Sequence, residues 1–202
     1  MSGGAQANHP SIDSMQLILA SASPRRSEIL SRISSDFIVV ASEISEHCDG
    51  TPEEQVLTLA EAKARAVAID HQGVIIGADT IVVVDGRILG KPHSREQGRQ
   101  MVTLLSGRAH DVLTGLCVLR TDDESVHVRC EKTRVWFRDL TEREIDHYLD
   151  TNEYVDKAGG YAIQGQAAAF ITGIDGDYFN VMGLPLCRLV LILREVGIDL
   201  LA

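Results

Sequence analysis

Four charged residues stand where residues of their type are costly to place. Arg25 and Arg26 follow Ser23-Pro24, which reads as a helix N-cap with proline at the first helical position. A cation in that first turn opposes the positive end of the helix dipole, at about 0.3–1 kcal/mol each. An anion held between the two arginines and the free N–H groups of the helix start would reverse the sign, as phosphates do. Two solvated arginines on an exposed turn are the other reading, and the stretch alone does not choose between them. Lys63 lies inside the apolar stripe Val56, Leu59, Ala60 and Val67 of its helix. Either its stem is buried and its ammonium reaches water, or the ammonium is directed into an enclosed anionic site. Asp79 interrupts the apolar run VIIGADTIVVV at 74–84, although aspartate is depleted in strands and rarely buried alone. A bulge near Gly77 could pin its carboxylate on backbone N–H groups. A base or metal ligand is the preferred reading, because a strand holds a carboxylate in one direction.

The elements that must position these residues follow from local pattern. Leu17-Ile18-Leu19-Ala20 reads as a short buried strand, and Phe37 to Ala41 as another. Thr51-Pro52-Glu53-Glu54 combines an N-cap, a first-turn proline and a capping-box glutamate, which predicts a helix to about Ile69. Val74 to Leu89 forms two β-rich runs around Asp85-Gly86, a hairpin turn. Ser94 to Gln97 reads as a second capping box, opening a helix with Met101, Leu104 and Leu105 inward. His110–Leu119 and Val126–Phe137 read as strands, with Trp136 and Phe137 in the core. Thr141 to Glu144 caps a helix with Ile145, Tyr148 and Leu149 inward. Glycines 159, 160 and 165 permit close approach of backbone to a ligand, though alone this segment reads as an ordinary turn. A strand through Phe170-Ile171 and a helix after Pro185 complete the chain. Alternating strands and helices with two hairpins imply an α/β fold on a mixed sheet.

Composition narrows the classes. With 202 residues, 45% hydrophobic and 24% charged, the chain can bury a full core. The net charge of −10 argues against nucleic acid as a partner, since phosphate neutralisation needs a basic face. A polyphosphate ligand would need local cations, and a divalent metal, to overcome that field. Cys48, Cys117, Cys130 and Cys187 form no CxxC pair, which argues against a zinc or disulfide framework and for a reducing compartment. Residues 1–14 read as a flexible tail without a signal peptide, and no apolar run reaches the roughly 20 residues that span a bilayer. The expectation is a cytoplasmic protein with no membrane partner, its tail followed by a single domain over 15–202.

Five motifs carry a resemblance. SASPRR at 21–26, GADTIVVVDGRILGKP at 77–92, LSGRAHDVLTG at 105–115, DKAGGYAIQG at 156–165 and GDYFNVMGLPL at 176–186 resemble the Maf family of nucleoside triphosphate pyrophosphatases, in the family's order. The resemblance spans roughly Leu17 to Leu193. It implies a twisted mixed sheet containing antiparallel strands and flanked by helices, elongated with a central cleft, as in inosine triphosphate pyrophosphatases. It also implies hydrolysis of a nucleoside triphosphate to monophosphate and pyrophosphate with a divalent cation (Mg²⁺ or Mn²⁺), and a homodimer as in many members.

Carried over by position, Asp79 matches the family's general base, which is also a candidate metal ligand. Ser21, Arg25, Arg26, Lys63 and Lys91 match its phosphate-binding set. Glu46 matches an acidic residue on the metal side, with Glu43 close enough to exchange places in the alignment. Arg25, Thr80 and Gln164 match the branch acting on dTTP and UTP in a nucleotide-pool sanitising role. The branch that hydrolyses 7-methyl-GTP differs at those three positions. A nucleotide-sensing regulator of septum formation is the alternative of another class.

Overall fold

The computed structural model describes residues 15–45 and 47–201. In chain order the elements are β1 (Leu17–Ala20), α1 (Pro24–Leu30), β2 (Ile38–Val39), α2 (Pro52–Ala68), β3 (Val74–Val84), β4 (Arg87–Leu89), α3 (Arg95–Leu105), β5 (Ala109–Arg120), β6 (Val126–Phe137), α4 (Glu142–Asp150), β7 (Ile171–Asp175), α5 (Tyr178–Met182) and α6 (Leu186–Glu195). The strands form one seven-stranded sheet in the order β2-β1-β3-β5-β6-β7, with β4 on β3 alone. β1 runs parallel to β2 and β3, and every other pairing is antiparallel. This is the mixed α/β sheet that the pattern implied.

Alternation along the strands separates two layers. Ile18, Ala20, Ile75, Cys117 and Leu119 pack under Ala60, Ala64 and Val67 of α2. On the opposite face Leu19, Ile76, Ala78, Leu116 and Val118 join the core built with α1, α3, α4 and α6. Both capping boxes at Thr51 and Thr141 form as expected, each threonine accepting from the glutamate N–H three residues on.

One break in the ladder positions everything that follows. β1 pairs with β3 only from Leu17↔Val74 to Ala20↔Gly77, and β4 takes up the same edge at Val82↔Leu89. Between them residues 78–81 have strand partners on the β5 side alone, Leu116 to Leu113. An edge gap just past the carboxyl end of a parallel strand is where ligands enter α/β sheets.

Several local expectations need correction. Ser23 occupies the N-cap position of α1, but its side chain caps nothing; its N–H donates to Ser21 Oγ instead. β2 has shrunk to two exposed residues, Ile38 and Val39, which pair only with Ile18 and Leu19 at the sheet edge. Ser94 accepts from Gln97 N–H, yet Gln97 Oε1 accepts from His93 N–H rather than closing the box on Ser94. In α3 the buried residues are Gly98, Val102 and Leu105, with Met101 and Leu104 only partly covered. Trp136 is 37% exposed while Phe137 is 4% exposed, because neighbours in a strand face opposite sides.

Candidate active site

A cavity of about 670 Å³ opens at the edge gap of β3. Its lining includes Ser21, Arg25, Arg26, Lys63, Asp79, Thr80, Lys91 and Gln164, residues drawn from five separate stretches of chain. Glu46 lies outside the described residues. Glu43 is described and does not line the cavity, whereas its neighbour Ser42 does.

Asp79 and Thr80 are consecutive, so their side chains leave the sheet on opposite faces. Asp79 faces α2. Its Oδ1 accepts from Lys63 Nζ at 2.6 Å, with both residues buried. Lys63 therefore follows the enclosed reading and not the solvated one. The bulge that might have pinned Asp79 is absent: Gly77, Ala78 and Asp79 stay in register with Cys117, Leu116 and Gly115. What brings the ion pair together is close packing of α2 on the sheet. A Cβ on Gly77 would collide with the Ala60 carbonyl oxygen, and one on Gly115 with the Val56 carbonyl oxygen. These two glycines flank Asp79, one two residues back on β3 and one directly across on β5.

Thr80 faces the other way, toward α1 and α5. Arg26 is fixed there by neutral acceptors: Nε donates to the Gly183 carbonyl at 2.7 Å, Nη1 to Ser21 Oγ at 3.2 Å and Nη2 to Thr80 Oγ1 at 3.1 Å. Thr80 Oγ1 in turn lies 2.9 Å from Thr114 Oγ1, its cross-strand partner, and Thr114 donates to the Asn180 carbonyl at 3.2 Å. A guanidinium held in a fixed plane presents its fork in one orientation, which a lysine ammonium cannot do.

The rim is built differently. Arg25 and Lys157 both have their pKa lowered from the ordinary value, first by burial, with Asp156 opposing the shift in each case. For Lys157 the charge of Arg25 lowers it further. Two cations pressed together in a partly desolvated wall favour an anion between them. Gln164 is exposed at the same rim. The segment bearing these residues is tied down by Gly159 N–H on the Gly90 carbonyl at 3.0 Å. Tyr161 anchors it from below, 2.8 Å from His110 Nε2 in a buried cluster with Phe137. Gly159 and Gly160 take φ of 69° and 72°, conformations that glycine adopts without strain. The segment is thus a wall of the cavity and not an ordinary turn.

Among known proteins, the description "Maf-like protein" matches residues 16–196. The chain belongs to the Maf family. A dTTP/UTP pyrophosphatase of Symbiobacterium thermophilum is 50% identical over 185 residues, covering 90% of this chain and 94% of that one. One from Thermococcus gammatolerans is 48% identical over 186 residues, covering 92% and 99%. One from a Geobacillus species is 50% identical over 186 residues, covering 90% and 98%. Coverage on both sides is nearly complete, so the Maf motifs sit in a framework of the same extent as in these relatives.

Sequence reasoning did not single out Lys157, Tyr161, Thr114 or Asn180. Each lies inside a motif stretch that was noted, but nothing local distinguishes a threonine under the cavity from a strand-filling one. Among the described residues no group of three or more His, Cys, Asp or Glu is placed to hold a metal. The donor set nonetheless fits a hard cation carried in with phosphate, since such ions are bound by one or two carboxylates plus substrate oxygens. Asp79 and Asp156 are the described carboxylates that line the cavity. The cysteines do not enter the site: burial pushes Cys117 up to about 12 and Cys130 up to about 11, so neither thiol is a nucleophile near neutral pH.

Proposed function

We propose that this chain hydrolyses dTTP and UTP to the monophosphate and pyrophosphate. The observation that carries the reading is a strand-held carboxylate, Asp79, in one cavity with Ser21, Arg25, Arg26, Lys63 and Lys91. The three dTTP/UTP pyrophosphatases named above support the pyrimidine substrate, since each carries that activity in its name.

In this mechanism Arg25, Arg26, Lys63 and Lys91 receive the triphosphate, and Ser21 adds a hydroxyl at the carboxyl end of β1. Asp79 orients a water in line with the bond between the α-phosphorus and the bridging oxygen, and takes its proton. The water oxygen bonds to the α-phosphorus, the bridging P–O bond breaks, and pyrophosphate departs with the electron pair. The Lys63 ammonium keeps the Asp79 carboxylate in one direction and stands beside the charge that develops. A divalent cation, held by Asp79 with phosphate oxygens and by Glu46 in our reading, would neutralise charge on the reacting phosphates. Gln164 and Thr80 supply polar contacts to the base.

No helix among the described residues is long and apolar enough to cross a membrane, and we place the activity in the cytoplasm. A purified-protein screen over nucleoside triphosphates with Mg²⁺ or Mn²⁺, scoring pyrophosphate against orthophosphate, tests the reading. Pyrophosphate from dTTP and UTP is expected. Orthophosphate as the first product, or tight binding without turnover, would overturn it.

A further inference from the structure

The hydrogen bonds beneath Thr80 have only one consistent direction. Thr114 has a single hydroxyl proton, and it is donated to the Asn180 carbonyl. The 2.9 Å contact between the two threonines must therefore take its proton from Thr80. Arg26 Nη2 can only donate, and it donates to Thr80 Oγ1. The protons thus run from Arg26 to Thr80, from Thr80 to Thr114, and from Thr114 to the carbonyl of Asn180. Thr114 and Asn180 are both fully buried at 0% exposure, so water does not compete for these bonds.

This order has a consequence at the cavity surface. Thr80 lines the cavity, yet its one proton points away toward Thr114. It meets a ligand as an acceptor only. Gln164, also on the cavity wall, carries a carbonyl oxygen and an amide NH₂ and can turn either toward a base. An amide that can turn does not by itself distinguish a ring N–H from a ring nitrogen lone pair. A threonine locked as acceptor does.

We infer that Thr114 is a positioning residue that sets the hydroxyl of Thr80 as an obligate acceptor, and that this acceptor selects pyrimidines with an imide N–H, uracil and thymine, over cytosine. The inference rests on the pyrimidine nucleotide reading above and adds to it the residue and the hydrogen-bond polarity behind the choice. Cytosine presents a lone pair at the corresponding ring nitrogen. A site built to pair an N–H rejects a partner that lacks it, because the buried acceptor is left unpaired.

Replacing Thr114 by valine removes the acceptor of the Thr80 proton while keeping shape and volume. The Asn180 carbonyl still accepts from Gly183 N–H at 2.9 Å, so the variant leaves no new orphan there. Thr80 could then rotate its proton into the cavity and serve a cytosine. The experiment measures kcat/KM for UTP and CTP in the wild type, Thr114→Val and Thr114→Ser, with thermal melts of all three. Expected is a UTP preference in the wild type that falls about tenfold in Thr114→Val and is retained in Thr114→Ser. Equal loss on both substrates in a folded Thr114→Val protein would show a merely structural threonine and overturn the inference.

If Thr114→Val does not fold, the wild type itself decides, using UTP methylated at the imide nitrogen. Turnover equal to that of UTP overturns the inference, and rejection together with that of CTP supports it. A wild type that cleaves UTP and CTP equally overturns the inference while leaving the pyrophosphatase reading intact. A wild type that cleaves neither defeats that reading; calorimetric binding of UTP and CTP then tests the polarity by the same ratio.

Discussion

Asp79 and Thr80 are neighbours on one strand, and the two faces of β3 treat them in opposite ways. On the α2 side a full charge meets a full charge: Lys63 and Asp79 are buried together at 2.6 Å. On the α5 side Arg26 donates to neutral oxygens of Ser21, Thr80 and Gly183. The first arrangement holds one reactive carboxylate still at the cost of desolvating both ions. The second holds a guanidinium in one plane and orders the hydroxyl protons around it. The difference teaches that one edge gap is walled from two sides by unlike chemistry; under the proposed function the proton-moving group would stand on one side and recognition on the other.

If that division is right, substitutions on the two sides should fail in different ways. The largest effect belongs to Asp79→Asn, which keeps the shape and still accepts from Lys63. Turnover of dTTP should fall by about 10³-fold with the thermal midpoint shifted little, read by pyrophosphate release and calorimetry. Wild-type turnover in that variant would move the chemistry off the α2 side.

The next effect is one of pH on the Thr80 side, under the rim. Burial pulls His110 down to about 4 from 6.5, with Asp111 opposing. The unfolded chain therefore takes up the proton first as pH falls. The contribution of neutral His110 is whole above about pH 6.5 and is lost progressively toward pH 4. By pH 4.5 the loss should be roughly 2–3 kcal/mol. Denaturant melts of the wild type and His110→Gln at pH 7.5 and 4.5 check it, and an equal pH response in both would remove His110 as the cause.

Gly115→Ala tests how the α2 side is assembled. Its methyl group would meet the Val56 carbonyl and lift α2, at about 1–3 kcal/mol, with activity falling further than stability accounts for because Lys63 moves with the helix. Unchanged stability and rate would mean that α2 has slack above Asp79. The smallest effect is at the exposed rim. Gln164→Glu should lower kcat/KM for dTTP and UTP about tenfold, or about 1.4 kcal/mol, because a carboxylate replaces the amide that would donate to the base. The melting temperature should hold, since Gln164 buries little. A nucleotide panel read against melting curves separates this from damage to the fold.

Much of the site was legible because its residues violate local rules. Arginines in a first helical turn, a lysine inside an apolar stripe and an aspartate inside a strand are each anomalous within a window of a few residues. The structure brings all of them to one cavity. Thr114 and Asn180 violate nothing: a threonine suits a strand, and an asparagine in a short helix is unremarkable. Their roles depend on what lies across the sheet. Gly115 was equally silent and Gly77 suggested only a bulge, because the meaning of both is the approach of a helix from another part of the chain. Trp136 shows the reverse error, since an aromatic residue in a strand was assigned to the core without knowing which face the core takes.

The sequence by itself determined most of the strands and helices, though not α5 or the short extent of β2, and also where the two boxed helices begin and which charged residues stand out of place. These follow from capping, periodicity and propensity, which act over a few residues. Only the tertiary structure decided that β1 ends and β4 begins on the same edge of β3 with four residues between them. It alone decided that Asp79 meets a lysine while Thr80 meets an arginine. Strand pairing and helix docking join residues far apart in the chain, and a strand sends neighbouring side chains to opposite faces. Which partner each finds is set by the packed layers.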